Sequence, residues 1–472
     1  MVVISSPRYV KELLDKRSAK YSNRPSSWIA DQIFSGSHAM FLNPSDKWRR
    51  ARKLYTQLMS AARCETSHIK LIEAEGVQML RDFCLEPAQA MDHPRRMSNS
   101  IIMSMGESSL ETYVSNMGIF GFRTTTRKSK HMVKLYEVMD GISKIFETGA
   151  LPPEDILPLF RFLPQRLWGN WKDKMDHVRE LIDSLYHPCV SHVMKRREAY
   201  GSKGCFLDDL LNQQDKLQMT RHEVDIMCGN LVEGGSDTTA TMMQVFLQAM
   251  AIHREALLEA QREMDAVVGP DRSPVCADYD RLPHVAMLVK EIMRWRPVAP
   301  TAFPHATAAD DEIDGMRIPK GATVIMNTWA IHNNATLYDR PELFEPPRFA
   351  AWPLPASHYS SKGEGERDHY GYGAGRRICP GIHLGDRSLW LGLAKMVWAF
   401  DIAPARDLAS GDPVPIDTDP ATGYHEGFLS APKDFQVNVT VRSESHRETI
   451  FREFEAAQKE VFSMYEDGVE CL

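Results

Sequence analysis

The densest chemistry in this chain lies in ten residues, Tyr372-Gly-Ala-Gly-Arg-Arg-Ile-Cys-Pro-Gly381. Three glycines let the backbone bend back and approach a flat ligand closely. Arg376 and Arg377 bring guanidinium forks suited to carboxylates. Cys379 stands just ahead of a predicted helix, where a helix N-terminus and nearby amides favour thiolate over thiol. A thiolate offered by a tight glycine loop is a soft axial ligand. It suits iron in a porphyrin better than zinc, which needs three more ligands close by.

A second group, Gly234-Gly-Ser-Asp-Thr-Thr239, falls in the middle of a long apolar stretch. Thr220-Arg-His-Glu223 opens that stretch as a capping box, and it runs as helix to about His253. Two glycines beside a hydroxyl–carboxyl pair are poor helix formers, so packing alone explains them badly. Thr238 can bond the carbonyl of Gly234 one turn back and open a small groove. Such a groove has room for dioxygen and a proton-carrying water. Glu291-Ile-Met-Arg294 sets a carboxylate and a guanidinium on one helix face. Trp48-Arg-Arg-Ala-Arg52 sets two hydrogen-bond donors one turn apart.

The elements that must position these residues are mostly helical up to residue 220, with amphipathic stretches at Trp48–Leu58, His68–Phe83, Met175–Ala199 and Phe206–Asn212. Between the first helix and Trp48, residues Tyr21–Pro44 form an irregular segment rich in Ser, Asn and Pro. It also carries Trp28, Phe34, Met40 and Phe41, as a lid over something apolar or an ordinary packed loop would. Leu282–Arg296 is a helix stopped by Pro297. Glu312–Ile318 and Thr323–Thr328 read as strands joined by Pro319-Lys-Gly. A Pro-, Gly- and Arg-rich meander spans Asp339–Gly381, then comes an apolar helix His383–Phe400 and short strands to Arg442. Ser445-His-Arg-Glu448 reads as a second capping box, followed by an apolar face from Ile450 to Tyr465. The division is one catalytic domain, 1–442, with a helical tail, 443–472, packed on it.

Composition narrows the class. The chain has 472 residues, 43% of them hydrophobic and a net charge of −7, and so has material for a large core and no electrostatic case for nucleic acid. Eight cysteines without a CxxC pair or a signal peptide argue against a disulfide framework. No apolar run reaches the length of a membrane span.

The cysteine loop resembles the haem-binding loop of the cytochrome P450 family, Phe-x-x-Gly-x-Arg-x-Cys-x-Gly. Tyr372 stands for the Phe, and Gly375, Arg377, Cys379 and Gly381 match. Three more family motifs follow in the family's order. Gly234–Thr239 resembles the oxygen-activation motif, and Glu291-x-x-Arg294 with Arg348 of Pro346-Pro-Arg-Phe349 resembles its Glu–Arg–Arg cluster. Trp48-x-x-x-Arg52 resembles its propionate-binding pair.

That resemblance implies a mainly α fold with a small β region. It implies haem b with Cys379 as metal ligand, Trp48, Arg52, His305 and Arg377 on the haem carboxylates, and Tyr372 as the aromatic shielding the sulfur, with a hydroxyl that can alter redox tuning. Asp237 and Thr238 would deliver protons while O2 is reductively activated and one oxygen atom enters an apolar C–H bond. Electrons would come from NADPH through NADPH-cytochrome P450 reductase. Substrate contacts are expected from Trp28–Met40, Asn230–Ser236, Val298–Phe303 and Tyr424–Leu429. These stretches suit a lipophilic small molecule, and the surroundings of Arg296–Pro300 are similar to filamentous-fungal members acting on secondary metabolites. The resemblance places the chain at the cytosolic face of the endoplasmic reticulum. Without an anchor in this sequence, peripheral membrane association or a cytoplasmic location also fits. The chain starts at what corresponds to the second strand of the family's first hairpin, Val2–Ile4, and an unpaired sheet edge is expected there. The alternative is a catalytically silent or N-terminally truncated haem-binding protein, against which intact Asp237, Thr238 and Cys379 argue.

Overall fold

The computed structural model describes residues 1–105, 119–147, 149–152, 154–155, 157–162, 164–427 and 429–467. Its axis is the helix Arg221–Ile252, hereafter the central helix. The Thr220 side chain accepts from the Glu223 amide, and Glu223 accepts in return from the Thr220 amide at 2.8 Å. From Val224 to Ala251 it is mostly buried, packed against Asp92–Ser104, Trp171–Tyr200 and the helix Ile382–Ala399 that follows the cysteine loop. The last is called the cysteine helix below.

Gly235 shows why small residues sit in the middle of this helix. A Cβ there would meet Ile102 at 2.7 Å, so Asp92–Ser104 can cross closely only over a glycine. At Gly234 a Cβ would meet nothing within 4 Å. Two adjacent glycines thus serve different ends, one for packing and one for open space.

The β structure is small. Val2–Ile4 runs parallel to Thr323–Met326, which pairs antiparallel with His305–Ala306. Val2–Ile4 is an edge strand of that sheet among the described residues. Glu312–Ile318 is not one strand. It folds as a hairpin, Asp311–Ile313 against Met316–Ile318, because Asp314 and Gly315 both take left-handed backbone angles. The Thr323 strand ends at Met326, and Asn327 caps a short helix Thr328–His332.

The segment Tyr21–Pro44 is more ordered than its composition implies. Ser27 caps a helix Trp28–Phe34 whose Ile33 and Phe34 are buried. The helix packs on Trp171–Tyr200, with Trp28 edge-on to Trp171 at 5.8 Å.

Glu291 is buried, and its carboxylate takes both Arg294 donors, at 2.7 and 2.8 Å, and Arg348 Nε at 3.3 Å. Arg294 also donates to the carbonyls of His332, Pro341 and Leu343. One buried carboxylate therefore holds the helix Pro283–Trp295 to the irregular meander that leads to Cys379.

At the C-terminal end the helix Glu444–Glu460 is capped by Ser443, not by Ser445. The preceding strand Val437–Val441 pairs with Phe400–Pro404, and Arg442 N still bonds Ala399 O, so the chain is free to turn one residue later. Phe454, Ala457 and Phe462 close over Ala74 and Val77 of the helix Ile69–Leu85. Residues 468–472 lie outside the described residues.

Candidate active site

The cysteine loop is closed by its own backbone: Cys379 N–H donates to Tyr372 O at 2.9 Å and Ile378 N–H to Gly375 O at 3.2 Å. Arg367 braces it from the meander through His369 O and Gly373 O, and Asp15 accepts from the Gly375 amide at 2.8 Å. Although the loop lies against the core, Tyr372, Gly373, Gly375, Ile378 and Cys379 are only half-buried.

The protein alone does not favour the thiolate expected at this helix start. Burial pushes the Cys379 thiol up, outweighing the Gly381 amide and the Arg52 charge, which draw it down. A cation bound at the sulfur is what would ionise it outright.

Three guanidinium groups and one imidazole gather next to this loop. Arg52 donates to Ile378 O, the carbonyl preceding Cys379. Arg377 donates to the carbonyls of Ser22, Ala39 and Leu42 and lies over the Trp48 ring at 4.4 Å. Arg24 donates to the carbonyls of Met40, Phe303 and Pro304. His305 donates Nδ1–H to Tyr21 O at 2.6 Å.

Among the described residues no carboxylate pairs with any of these four groups. Burial lowers all four, and repulsion from neighbouring cations adds to it for three: Arg24 to about 9, Arg377 to about 10 and His305 to about 3. The indole N–H of Trp48 has no protein acceptor among the described residues. A buried cluster of positive charge without a counterion is costly unless an anionic group completes it. A planar ligand carrying carboxylates and an iron fits this donor set together with the nearby sulfur.

Across the fold, Gly234 is the one exposed residue of the central helix between Arg221 and Ala251. Thr238 donates its hydroxyl to Gly234 O at 2.7 Å, the bond its spacing predicts. Asp237 is half-buried, and burial pushes its carboxyl up against the opposing charge of Arg95. A carboxyl shifted upward is better suited to passing protons near neutrality.

Two features of the site are not legible in the sequence. Arg24, the only Arg or Lys in Tyr21–Pro44, carries no motif that marks it. A buried network joins the same segment to the central helix: His38 Nε2 pairs with Glu233 at 2.9 Å, Tyr186 donates to Glu233 at 2.8 Å, and Asn230 accepts from the Ala39 amide at 2.7 Å. Its only signal was a Glu directly before Gly234 in an apolar run.

Of the stretches expected to meet substrate, parts of two line a cleft of about 370 Å³. Pro300 and Thr301 come from the first and Tyr424 from the second, and Arg296, Pro297, Trp329 and Ser430 line it with them. Ser430 N–H donates to Val298 O at 2.8 Å. Phe428, in the second stretch, lies outside the described residues.

The family model for cytochrome P450 matches residues 1–439. The chain is 47% identical over 468 residues to cytochrome P450 monooxygenase anuE of Penicillium roqueforti, covering 99% of this chain and 92% of that protein. It is 46% identical to cytochrome P450 monooxygenase yanC of Aspergillus niger, over 98% of this chain and 85% of that one. With cytochrome P450 monooxygenase patH of Penicillium expansum it shares 41% identity, over 99% and 86%. A mainly helical fold, a glycine-framed cysteine and this extent of likeness agree: the chain belongs to the cytochrome P450 family of haem-thiolate monooxygenases, oxidoreductases that incorporate oxygen from O2.

Proposed function

We propose that this protein inserts one oxygen atom from O2 into an apolar small molecule of fungal secondary metabolism, with haem b held by Cys379 and electrons from NADPH through NADPH-cytochrome P450 reductase. The observation that carries the reading is the counterion-free cluster of Arg24, Arg52, Arg377 and His305 gathered at the loop that presents a cysteine. When bound, a thiolate-ligated haem supplies the activation of dioxygen.

The chain's own residues do the rest. Trp48, Arg52, His305 and Arg377 would fix the two carboxylates, and Arg24 braces the segment that supplies four of their backbone acceptors. Thr238, bonded to Gly234 O, holds a hydroxyl at the mouth of the open space beside Gly234. Asp237 moves protons along that edge. Tyr186, Glu233 and His38 keep the segment Ser37–Leu42 against the central helix, which excludes water. The cleft lined by Pro297, Pro300, Trp329 and Tyr424 supports a lipophilic substrate.

The expected location is the cytosolic face of the endoplasmic reticulum. Leu159, Phe162 and Leu167 are 70%, 82% and 73% exposed beside Arg161, Arg166 and Lys172, a combination suited to an anionic lipid surface. No helix among the described residues is long and apolar enough to cross a membrane.

The test is the carbon-monoxide difference spectrum of the reduced, haem-loaded full chain, followed by turnover with a reductase. A strongly red-shifted Soret band that disappears in Cys379→Ser is expected. Haem uptake without that band would overturn the thiolate assignment. A normal band with no reductase-supported oxidation of any lipophilic panel would favour a silent haem protein.

A further inference from the structure

Asn230 stands one helical turn before Gly234 on the central helix, and its side-chain amide is only half accounted for. Oδ1 accepts the Ala39 amide at 2.7 Å. That bond fixes the side chain's orientation, since a flipped amide would set two donors face to face. Nδ2 is then left beneath the segment Ser37–Leu42, where it is buried and meets no acceptor among the described residues. An amide donor shut away from water without a partner is unfavourable, and a ligand or a water is what completes such a group.

The neighbouring polar groups are already committed. His38 Nδ1 accepts the Met40 amide at 3.3 Å, so Nε2 carries the proton and donates to Glu233 Oε2. Tyr186 donates to Glu233 Oε1, lying close against the helix at Gly229, where a Cβ would run into its ring. The rest of the surroundings is apolar. The rings of Phe34, His38, Phe41 and Phe146 stack in series with centroids 4.3 to 5.6 Å apart.

Asn230, Gly234 and Thr238 recur every four residues and so share one face of the helix. Gly234 is exposed, and a Cβ on it would meet nothing within 4 Å. The unpaired amide and the Thr238 hydroxyl therefore border one open space from two levels, about 12 Å apart along the axis.

We propose that Asn230 Nδ2 is the polar anchor of the substrate pocket, donating to one oxygen carried by an otherwise apolar substrate. The oxygen belongs to a carbonyl, an ether or a hydroxyl, since an amide donor needs only an acceptor. The proposal rests on the haem-thiolate reading and deepens it by naming the substrate class. That class is a lipophilic molecule whose acceptor oxygen is remote from the carbon presented to Thr238, because two helical turns separate anchor and groove.

The experiment titrates the haem-loaded full chain with matched ligand pairs and reads the Soret shift as each ligand enters. Acetophenone is set against isopropylbenzene and cyclohexanone against methylcyclohexane, each pair differing by one acceptor oxygen. The ratio of ketone to hydrocarbon affinity is expected to fall about tenfold in Asn230→Leu. Taking a ratio cancels the general effect of the substitution on apolar binding. If Asn230→Leu does not fold, Asn230→Ala, which adds no bulk beneath the segment, carries the test. The same ratio in both chains, with the thiolate carbon-monoxide band intact, would overturn the proposal and leave the amide to a resident water. No shift with either ketone in the unsubstituted chain would overturn it as well. Loss of the band in the unsubstituted chain would overturn the haem-thiolate reading and take this proposal with it.

Discussion

The guanidinium of Arg377 lies 4.4 Å from the centre of the Trp48 ring, joining the helix Asp46–Leu58 to the cysteine loop from opposite ends of the sequence. The contact leaves the indole N–H available and orients a cation whose own donors go to the backbone of Tyr21–Pro44. Trp48→Leu is expected to loosen the bound haem by removing both a donor and the face that orients Arg377. A charge-assisted hydrogen bond is worth about 1.5–3 kcal/mol, so haem affinity should fall on the order of ten- to a hundredfold. Transfer of haem to apomyoglobin measures it, and transfer at the unsubstituted rate would count against the assignment.

His305 reports on the same site through its ionisation. Its Nδ1–H is committed to Tyr21 O, so Nε2 can donate to a carboxylate only when the ring is protonated. Burial, Arg24 and Arg377 lower it to about 3 in the protein alone. Two bound carboxylates reverse that balance, and the pKa is expected to rise on haem loading. Hydrogen–deuterium exchange at the imidazole C2, read by mass spectrometry across pH, gives both values. Identical values in the free and loaded chain would exclude His305 from the cluster.

Removing one charge from the Glu291–Arg294–Arg348 cluster strands two buried guanidinium groups. Glu291→Gln is expected to destabilise the fold by about 3–5 kcal/mol. Urea denaturation followed by circular dichroism tests this. A loss under about 1 kcal/mol would mean that the carbonyls of His332, Pro341 and Leu343 satisfy Arg294 without the carboxylate.

Thr238→Val keeps the shape of residue 238 and removes the hydroxyl bonded to Gly234 O. With Asp237→Asn it should divert reducing equivalents to hydrogen peroxide, cutting coupled product formation by roughly tenfold or more. The carbon-monoxide spectrum is expected to stay unchanged. Full coupling in both variants would remove these two residues from proton delivery.

Asp311 provides a pH test away from the site. Lys20, Arg17 and Tyr21 donate to it at 2.7, 3.1 and 3.0 Å, and these bonds hold its carboxyl far below the usual value of 3.8. A depressed folded pKa gives stability that is present above 3.8 and lost as pH falls toward the folded value. Asp311→Asn should therefore cost on the order of 1 kcal/mol at pH 7. The gap to the unsubstituted chain should close in acid. A gap that widens below pH 4 would contradict the sign.

The sequence by itself carried what short-range chemistry encodes. Hydrophobic period and capping residues marked the central helix within a residue of its ends, because Thr220 and Glu223 satisfy each other's backbone locally. The bond from Thr238 to Gly234 followed from helical spacing alone. The glycine-framed Cys379 loop was legible because its closure, Cys379 to Tyr372 and Ile378 to Gly375, is local too. The hairpin at Asp314 has a local signal too: Asp314-Gly315 is a dipeptide favoured where both central residues of a turn take positive φ, and it outweighs a single-strand reading of Glu312–Ile318. What depended on distant partners was not legible. Arg24 joined the cationic cluster because Met40 and the adjacent Phe303 and Pro304 come to it from two segments far apart in sequence. Burial, which no local pattern reports, decided the protonation of Cys379, Asp237 and His305. Only packing determines how far each is removed from water and which charges it meets there.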